Sequence, residues 1–452
     1  MSLPPDPVID RHGGNAADTG PGPDGAGFRR VLAAEGIGNF GAMLSRITIP
    51  FLAALALQAT PWQMAGLLLA DVAAGAVAAL LLGAWVDRAG KRAVMRLCEF
   101  GRAALLAVLA VAAALDQVSL AGLTLAAAAS GVLHIGFELA RSAWVAQCIA
   151  TGQLPQRNAQ LSMVGSLSET AAFALGGWIY QGLGAAWALA MDAGSSLASA
   201  LCLRGVPEVR RAGTPSAAQG AGLGMRWRSA WRDWRDDTVA GLRAVATHPS
   251  LRALAGIEAL LALSMSLTGT SYMIFVTRDL GLPTGPLGMV FALGGAGAVV
   301  GAVLAPRLGR RLGPGRTMAL GLGAFALGAA CIPLAAAVPA ASAASAVSAL
   351  SLAPLLLLAA HQIVGDAGHV LHDVHDRTLR QTAVAPEMLA RADAGIRSLG
   401  QWCTLVGALA GGALGTALGA RSVLVLATAL AGAAALLALL TLARRDRLPA
   451  MA

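Results

Sequence analysis

Long runs without a single charged residue, such as Val72 to Val86, Ala103 to Leu115 and Val423 to Leu442, limit what this chain can fold into. Roughly 20 apolar residues in helical form cross the hydrocarbon core of a bilayer, and inside lipid every backbone N–H and C=O must be satisfied within the protein. Helices meet that demand one segment at a time. A closed barrel meets it too, but needs strict alternation of apolar and polar residues, which these runs lack. Ala, Gly and Leu dominate instead, and small residues let helix backbones approach where lipid offers no hydrophobic drive between helices. With 56% hydrophobic and only 13% charged residues over 452 positions, an ordinary soluble enzyme is excluded. The expected fold is an all-α membrane protein.

Apolar segments fall at 31–57, 62–86, 93–115, 118–144, 160–182, 185–204, 251–277, 285–305, 316–338, 344–371, 393–418 and 421–443, about twelve spans. Arginine and lysine gather in alternate breaks: Arg88, Lys91, Arg92 and Arg96; Arg157; the stretch from Arg204 to Arg243; Arg307, Arg310, Arg311 and Arg316; Arg377, Arg380 and Arg391. The intervening breaks offer only Arg278 and Arg421. By the positive-inside rule the first set is cytoplasmic, and both termini lie with it, because the tails add Arg29, Arg30, Arg444, Arg445 and Arg447. A multi-pass protein of the cell inner membrane is expected. Topology then accounts for the net charge of +9 and the pI near 10.5, and no nucleic-acid partner is called for.

The break at 205–250 is the longest and divides the spans into six and six. Residues 1–27, rich in Pro, Gly and Asp and without an apolar stretch, read as a disordered cytosolic tail and not as a signal peptide. The remaining divisions are an N-terminal bundle at 28–204, a basic cytoplasmic linker at 205–250, a C-terminal bundle at 251–443 and a cytosolic tail at 444–452. In the linker, Arg226-Trp227-Arg228, Trp231-Arg232 and Trp234-Arg235 suit either a helix in the headgroup plane or a solvated connection whose aromatics touch the bundle. Five scattered cysteines imply no disulfide or metal framework. Walker, His-Glu-x-x-His and Gly-x-Ser-x-Gly motifs do not occur, so neither an enzyme nor a cofactor is expected, and transport energy would come from an ion gradient.

The run Gly83-Ala84-Trp85-Val86-Asp87-Arg88-Ala89-Gly90-Lys91-Arg92 follows the second span, and a weak counterpart, Ala302 to Arg311, follows the eighth. On this motif and the six-plus-six layout, nearly the whole chain resembles the major facilitator superfamily. The resemblance implies two pseudo-symmetric six-helix bundles around a central cavity. It also makes Gly83, Asp87, Arg88, Gly90, Lys91 and Arg92 parts of a cytoplasmic gate. Arg141, returning to the same depth in the fourth span, is a partner for Asp87 or a snorkelling side chain. Pro306 stands where Asp87 stands in the first half.

Ala174-Leu175-Gly176-Gly177 with Met191 to Leu197, and Gly365-Asp366 with Thr378 to Gln381 and Gly407 to Gly412, are similar to the branch of enterobactin-type siderophore exporters and macrolide-efflux proteins. That likeness implies export. Ala172-Phe173 replaces the Gly-Pro common in exporters, and Ala42 follows Asn39-Phe40-Gly41 where the branch often carries an acid. Proton coupling is therefore not assigned to position 42.

Ionisable side chains at bilayer depth are costly unless paired or wetted, so each is a functional candidate. Arg46 and Asp71 lie at similar depth in the first two spans. They read as a substrate or proton-coupling pair, or as a structural ion pair. Glu169 and Glu258 are expected to line a central cavity. Asp366 opens a cluster with His361, His369, His372, Asp373, His375 and Asp376, read as a solvated helix end or as a group that titrates near neutrality or takes a divalent metal. Glu138 and Arg141 share a helix face and neutralise each other, Asp192 serves packing, and Glu35 meets water with little consequence. The expected function is alternating-access secondary transport, specifically proton-coupled export of a small amphiphilic compound, siderophore or drug-like, by a monomer. The other reading is a transporter-like sensor or scaffold that binds a ligand without moving it.

Overall fold

The computed structural model describes residues 23–150, 153–208, 243, 245–337, 352–383 and 386–443, and every element among them is helical. The first half contains α1 (Pro23–Phe51), α2 (Pro61–Arg88), α3 (Lys91–Ala114), α4 (Leu120–Cys148) and α5 (Leu154–Cys202). Gly184, at φ 82° and ψ 175°, breaks α5 into the fifth and sixth spans, a conformation open to glycine and strained for other residues. The second half contains α6 (Pro249–Ile274), α7 (Thr284–Leu312), α8 (Pro314–Leu334), α9 (Leu352–Ala360), α10 (Asp366–Ala383), α11 (Pro386–Leu418) and α12 (Ala420–Thr441). Among the described residues, nine helices are long and apolar enough to cross a membrane.

Local sequence sets the helix starts. Pro61, Pro249, Pro314 and Pro386 open α2, α6, α8 and α11, where a missing N–H costs nothing. Ahead of α2, the Gln63 carboxamide oxygen accepts from the Thr60 N–H at 2.8 Å and the Thr60 hydroxyl accepts from the Gln63 N–H at 3.3 Å, a reciprocal cap. Ser119 caps α4 by accepting from the Gly122 N–H at 3.1 Å.

Within the first half α1 and α3 pack on α5, and α2 packs on α4; within the second, α6 packs on α11 and α12, and α8 on α10 and α12. The halves meet through α5 against α7 and α2 against α11. Side-chain hydroxyls join neighbours inside each half. Ser168 donates to the Gly36 carbonyl at 2.9 Å and Ser266 to the Thr404 carbonyl at 2.7 Å.

Apolar packing differs between the two ends. At the arginine-poor end one core includes Phe51, Leu106 and Leu189 from the first half and Tyr272, Phe275 and Leu287 from the second. At the arginine-rich end the halves keep separate cores, one around Phe28, Met95, Phe137 and Trp144 and the other around Leu251, Ile257, Met318 and Ile396.

The tenth span differs from expectation. Helix runs from Leu352 through a π turn at His361–Gly365 and on to Ala383, a dozen residues past the expected end at 371. His372, His375 and Asp376 are only 4–5% exposed, so the expected solvated helix end is instead packed against α7 and α8. Close approach makes this possible: a Cβ on Gly321 of α8 would stand 2.7 Å from the Gly368 carbonyl oxygen and 2.8 Å from the His372 nitrogen. Residues 1–22 of the expected tail, most of the linker (209–242 and 244) and 444–452 lie outside the described residues.

Candidate substrate cavity and gate

A cavity of about 370 Å³ opens between α1, α2, α3 and α4, with Gly269 of α6 closing one side. Its apolar wall includes Met43, Ile49, Met64, Leu67 and Leu68, and its polar wall Arg46, Asp71, Ser130 and His134. Arg46 and Asp71 thus face the same space, yet no ion pair within 4.0 Å joins them among the described residues. The expected direct pair is not present because α1 packs on α5 and α2 on α4, which leaves the cavity between their carriers. A Cβ on Gly131 would lie 2.9 Å from Asp71 Oδ1, so the missing side chain there makes room for the carboxylate.

Behind the cavity lies a set of buried charges. Arg102 lines the cavity and is 3% exposed. Its Nη2 donates to Asp192 Oδ1 at 2.6 Å and its Nη1 stands 3.9 Å from Glu99 Oε1. Asp192, at 0% exposed, also accepts from Ser196 at 3.4 Å. The role expected for Asp192 was packing; it is half of a buried ion pair that borders the cavity. Glu99 and Arg102 in the third span were legible as an i, i+3 pair, but Arg102 stands immediately before the uncharged run that begins at Ala103.

Glu169 lies in α5, and Asp366 opens α10. Asp366 presses on Gly294 of α7, with no space for a Cβ there. Neither lines the Arg46 cavity. Glu258, expected in the cavity wall, is instead 3.5 Å from Arg380, which also binds Asp376 at 2.7 Å and lies 3.7 Å from Asp393. The longer α10 brings Arg380 to it.

In the first half, Arg141 donates its Nη2 to Glu138 at 2.7 Å, and its Nε stands 3.3 Å from Glu35 Oε2. Glu35 therefore holds an ion pair and is not idle in water. Glu35 and Glu258 each lie seventeen residues before a π turn, which starts at Leu52 in one half and Phe275 in the other. Each half thus ties its first helix to its fourth span by a Glu–Arg pair.

Of the motif expected to form a gate, the side chains of Gly83, Asp87 and Arg88 lie outside the described residues, so the expected Asp87–Arg141 contact does too. The rest forms a pinned turn. Lys91 is fully buried and its Nζ donates to the Val86 carbonyl at 2.5 Å and the Ala89 carbonyl at 3.4 Å, satisfying the end of α2. Gly90 leads into α3, and Arg92 donates to Glu208 at 3.3 Å and to the Val206 carbonyl at 3.1 Å, fastening the turn to the segment after the sixth span.

The arginine-poor end is latched across the halves. Arg278, one of two arginines expected there, donates its Nε to the Ala54 carbonyl at 2.9 Å. Both residues sit in π turns, which leave carbonyls without their usual helical donors. Two glycine pairs do the rest. Gly176 faces Leu44 of α1 within its own half, while Gly177 meets the backbone of Gly288 in α7. Gly411 faces Thr270 of α6, while Gly412 meets Trp62 and Ala65 of α2.

The profile of the Major Facilitator Superfamily matches residues 32–370. Comparison with curated proteins returns no match. Among solved structures, a mutant of the nucleoside transporter NupG superposes with a TM-score of 0.69 at 14% identity, covering 93% of this chain and 100% of that one. A bacterial homologue of the iron transporter ferroportin gives 0.67 in its inward-facing state, at 17% identity and with 91% and 98% covered. In its outward-facing state the score is 0.54, again at 17% identity, with 92% and 100% covered. At these identities the likeness shows the fold alone.

Proposed function

Because the chain belongs to the Major Facilitator Superfamily, we propose that it is a proton-coupled exporter of a small amphiphilic compound, siderophore or drug-like, working as a monomer by alternating access. The observation that carries this reading is the cavity of about 370 Å³ in which Arg46 and Asp71 are left without a mutual ion pair beside Met43, Met64, Leu67 and Leu68. That volume is within the roughly 300–1,000 Å³ that holds drug-sized ligands. An opposed cation and anion over an apolar wall suit a molecule with a charged or zwitterionic head and an apolar body.

The arginine-rich end is read as cytoplasmic and the membrane as the cell inner membrane, on the positive-inside rule. The cavity then faces the cytoplasm, consistent with the shared core at the other end and with the higher score against an inward-facing structure. Export and the substrate class draw on the glycine pairs, which resemble those of the siderophore and macrolide exporters. Proton carriage falls to Asp71 and to the Arg102–Asp192 pair, where Asp192 Oδ1 lies 2.5 Å from a Cβ placed on Gly41, next to the acid-free position 42. Solute movement in sealed vesicles is expected to stop when a protonophore collapses the proton gradient. Movement that continues at the same rate would remove the coupling.

A further inference from the structure

Three arginines at the arginine-rich end share one cleft. Arg29 and Arg30 of α1 and Arg204, just after the sixth span, line a cleft of about 700 Å³ together with Ala26, Ala33, Leu201, Cys202 and Gly205. Arg92, Arg102, Arg141 and Arg380 each have a carboxylate within 4.0 Å. Among the described residues Arg29, Arg30 and Arg204 have none. Three uncompensated guanidiniums converging on one cleft call for an anion with several acceptor oxygens.

The cleft is also built to hold one of them in place. The Arg30 guanidinium runs in against Gly205 with Nη1 foremost, occupying the space of a Cβ, with its Nε 3.1 Å from that point. Below the arginines the same surface is apolar. Ala33 and Ile37 continue the exposed face of α1, and Leu201 is 41% exposed beside them. Cations at the end of the spans with bare apolar side chains one or two turns deeper match the order of a phospholipid, headgroup above and acyl chain beneath.

We propose that this cleft binds the phosphate of an anionic lipid headgroup on Arg29, Arg30 and Arg204, with an acyl chain along Ala33, Ile37 and Leu201. Binding there would fasten α1 to the end of the sixth span. Each arginine near a membrane surface contributes about fivefold to anionic lipid affinity.

Native mass spectrometry of the purified full chain in detergent tests it, with titrations of phosphatidylglycerol, phosphatidylcholine and inorganic phosphate. The parent is expected to retain phosphatidylglycerol in preference to phosphatidylcholine. The combined Arg29→Gln, Arg30→Gln and Arg204→Gln variant loses that preference. Gly205→Ala keeps every charge but displaces Arg30, and is expected to weaken retention about fivefold. Equal retention of phosphatidylglycerol by parent and triple variant overturns the proposal. So does full retention by Gly205→Ala, which would reduce the cleft to a diffuse positive surface. Displacement of the lipid by millimolar inorganic phosphate would assign the cleft to a soluble phosphate instead. Thermal unfolding of each variant, read alongside, separates loss of the site from loss of the fold.

Discussion

A methyl group added at Gly177 has nowhere to go while the arginine-poor end is closed. Its Cβ would overlap the Thr284 carbonyl oxygen and stand 2.9 Å from the Gly288 nitrogen and 3.0 Å from the Gly288 Cα. All three are backbone atoms, so no side chain can turn aside and α5 and α7 must part. Overpacking of this kind costs about 1–3 kcal/mol. If the contact exists only in the closed arrangement, the penalty falls on that state alone and shifts the equilibrium about 5- to 150-fold toward the opposite opening. Spin labels on cysteines at Gln117 and Arg421, exposed positions of the two halves at that end, report the separation in a cysteine-free background. The Gly177→Ala distribution is expected to move to longer distances. A second pair at Gln156 and Arg311, at the arginine-rich end, is expected to move to shorter ones. Gly182→Ala serves as the control, since nothing lies within 4 Å of its added Cβ. A folded Gly177→Ala protein with the parent's distances would refute the reasoning that this crossing holds the closed end.

Two further tests probe the charges. Arg102→Leu leaves Asp192 buried and unpaired, which costs about 3–5 kcal/mol, whereas Arg102→Leu with Asp192→Leu is expected to regain most of the lost melting temperature; a double variant no more stable than the single one contradicts the pairing. Glu35→Gln is expected to cost roughly 1.5–3 kcal/mol, and Glu258→Gln, a third exposed and partly screened, about 1 kcal/mol or less. As the two sites occupy different halves, their effects on thermal unfolding should add, and strong non-additivity would show that the ties are not independent.

Hydropathy made most spans legible, because a bilayer imposes the same length and composition on every helix that faces it. The register of the tenth span was not, since His372, His375 and Asp376 are buried against protein and not lipid, and composition does not report which neighbour a helix meets. Arg46 and Asp71 could be placed at a common depth by counting residues. Their separation could not, because it depends on which helices pack together. The glycine pairs were visible as a motif, but only the three-dimensional arrangement shows that one member of each faces home and the other faces across. Arg102 was missed for a plain reason: it adjoins the basic loop at Arg88 to Arg96 in sequence, and its partner Asp192 is ninety residues away.

Flux through the cavity is the quantity to measure. The purified chain, reconstituted into liposomes with an internal pH dye and given an imposed pH gradient, is offered a panel of siderophores and amphiphilic drugs. At least one solute is expected to cross in exchange for protons, and Arg46→Gln and Asp71→Asn are each expected to abolish that exchange. A solute that binds the parent but never crosses, or one that crosses equally well in both variants, would contradict the account.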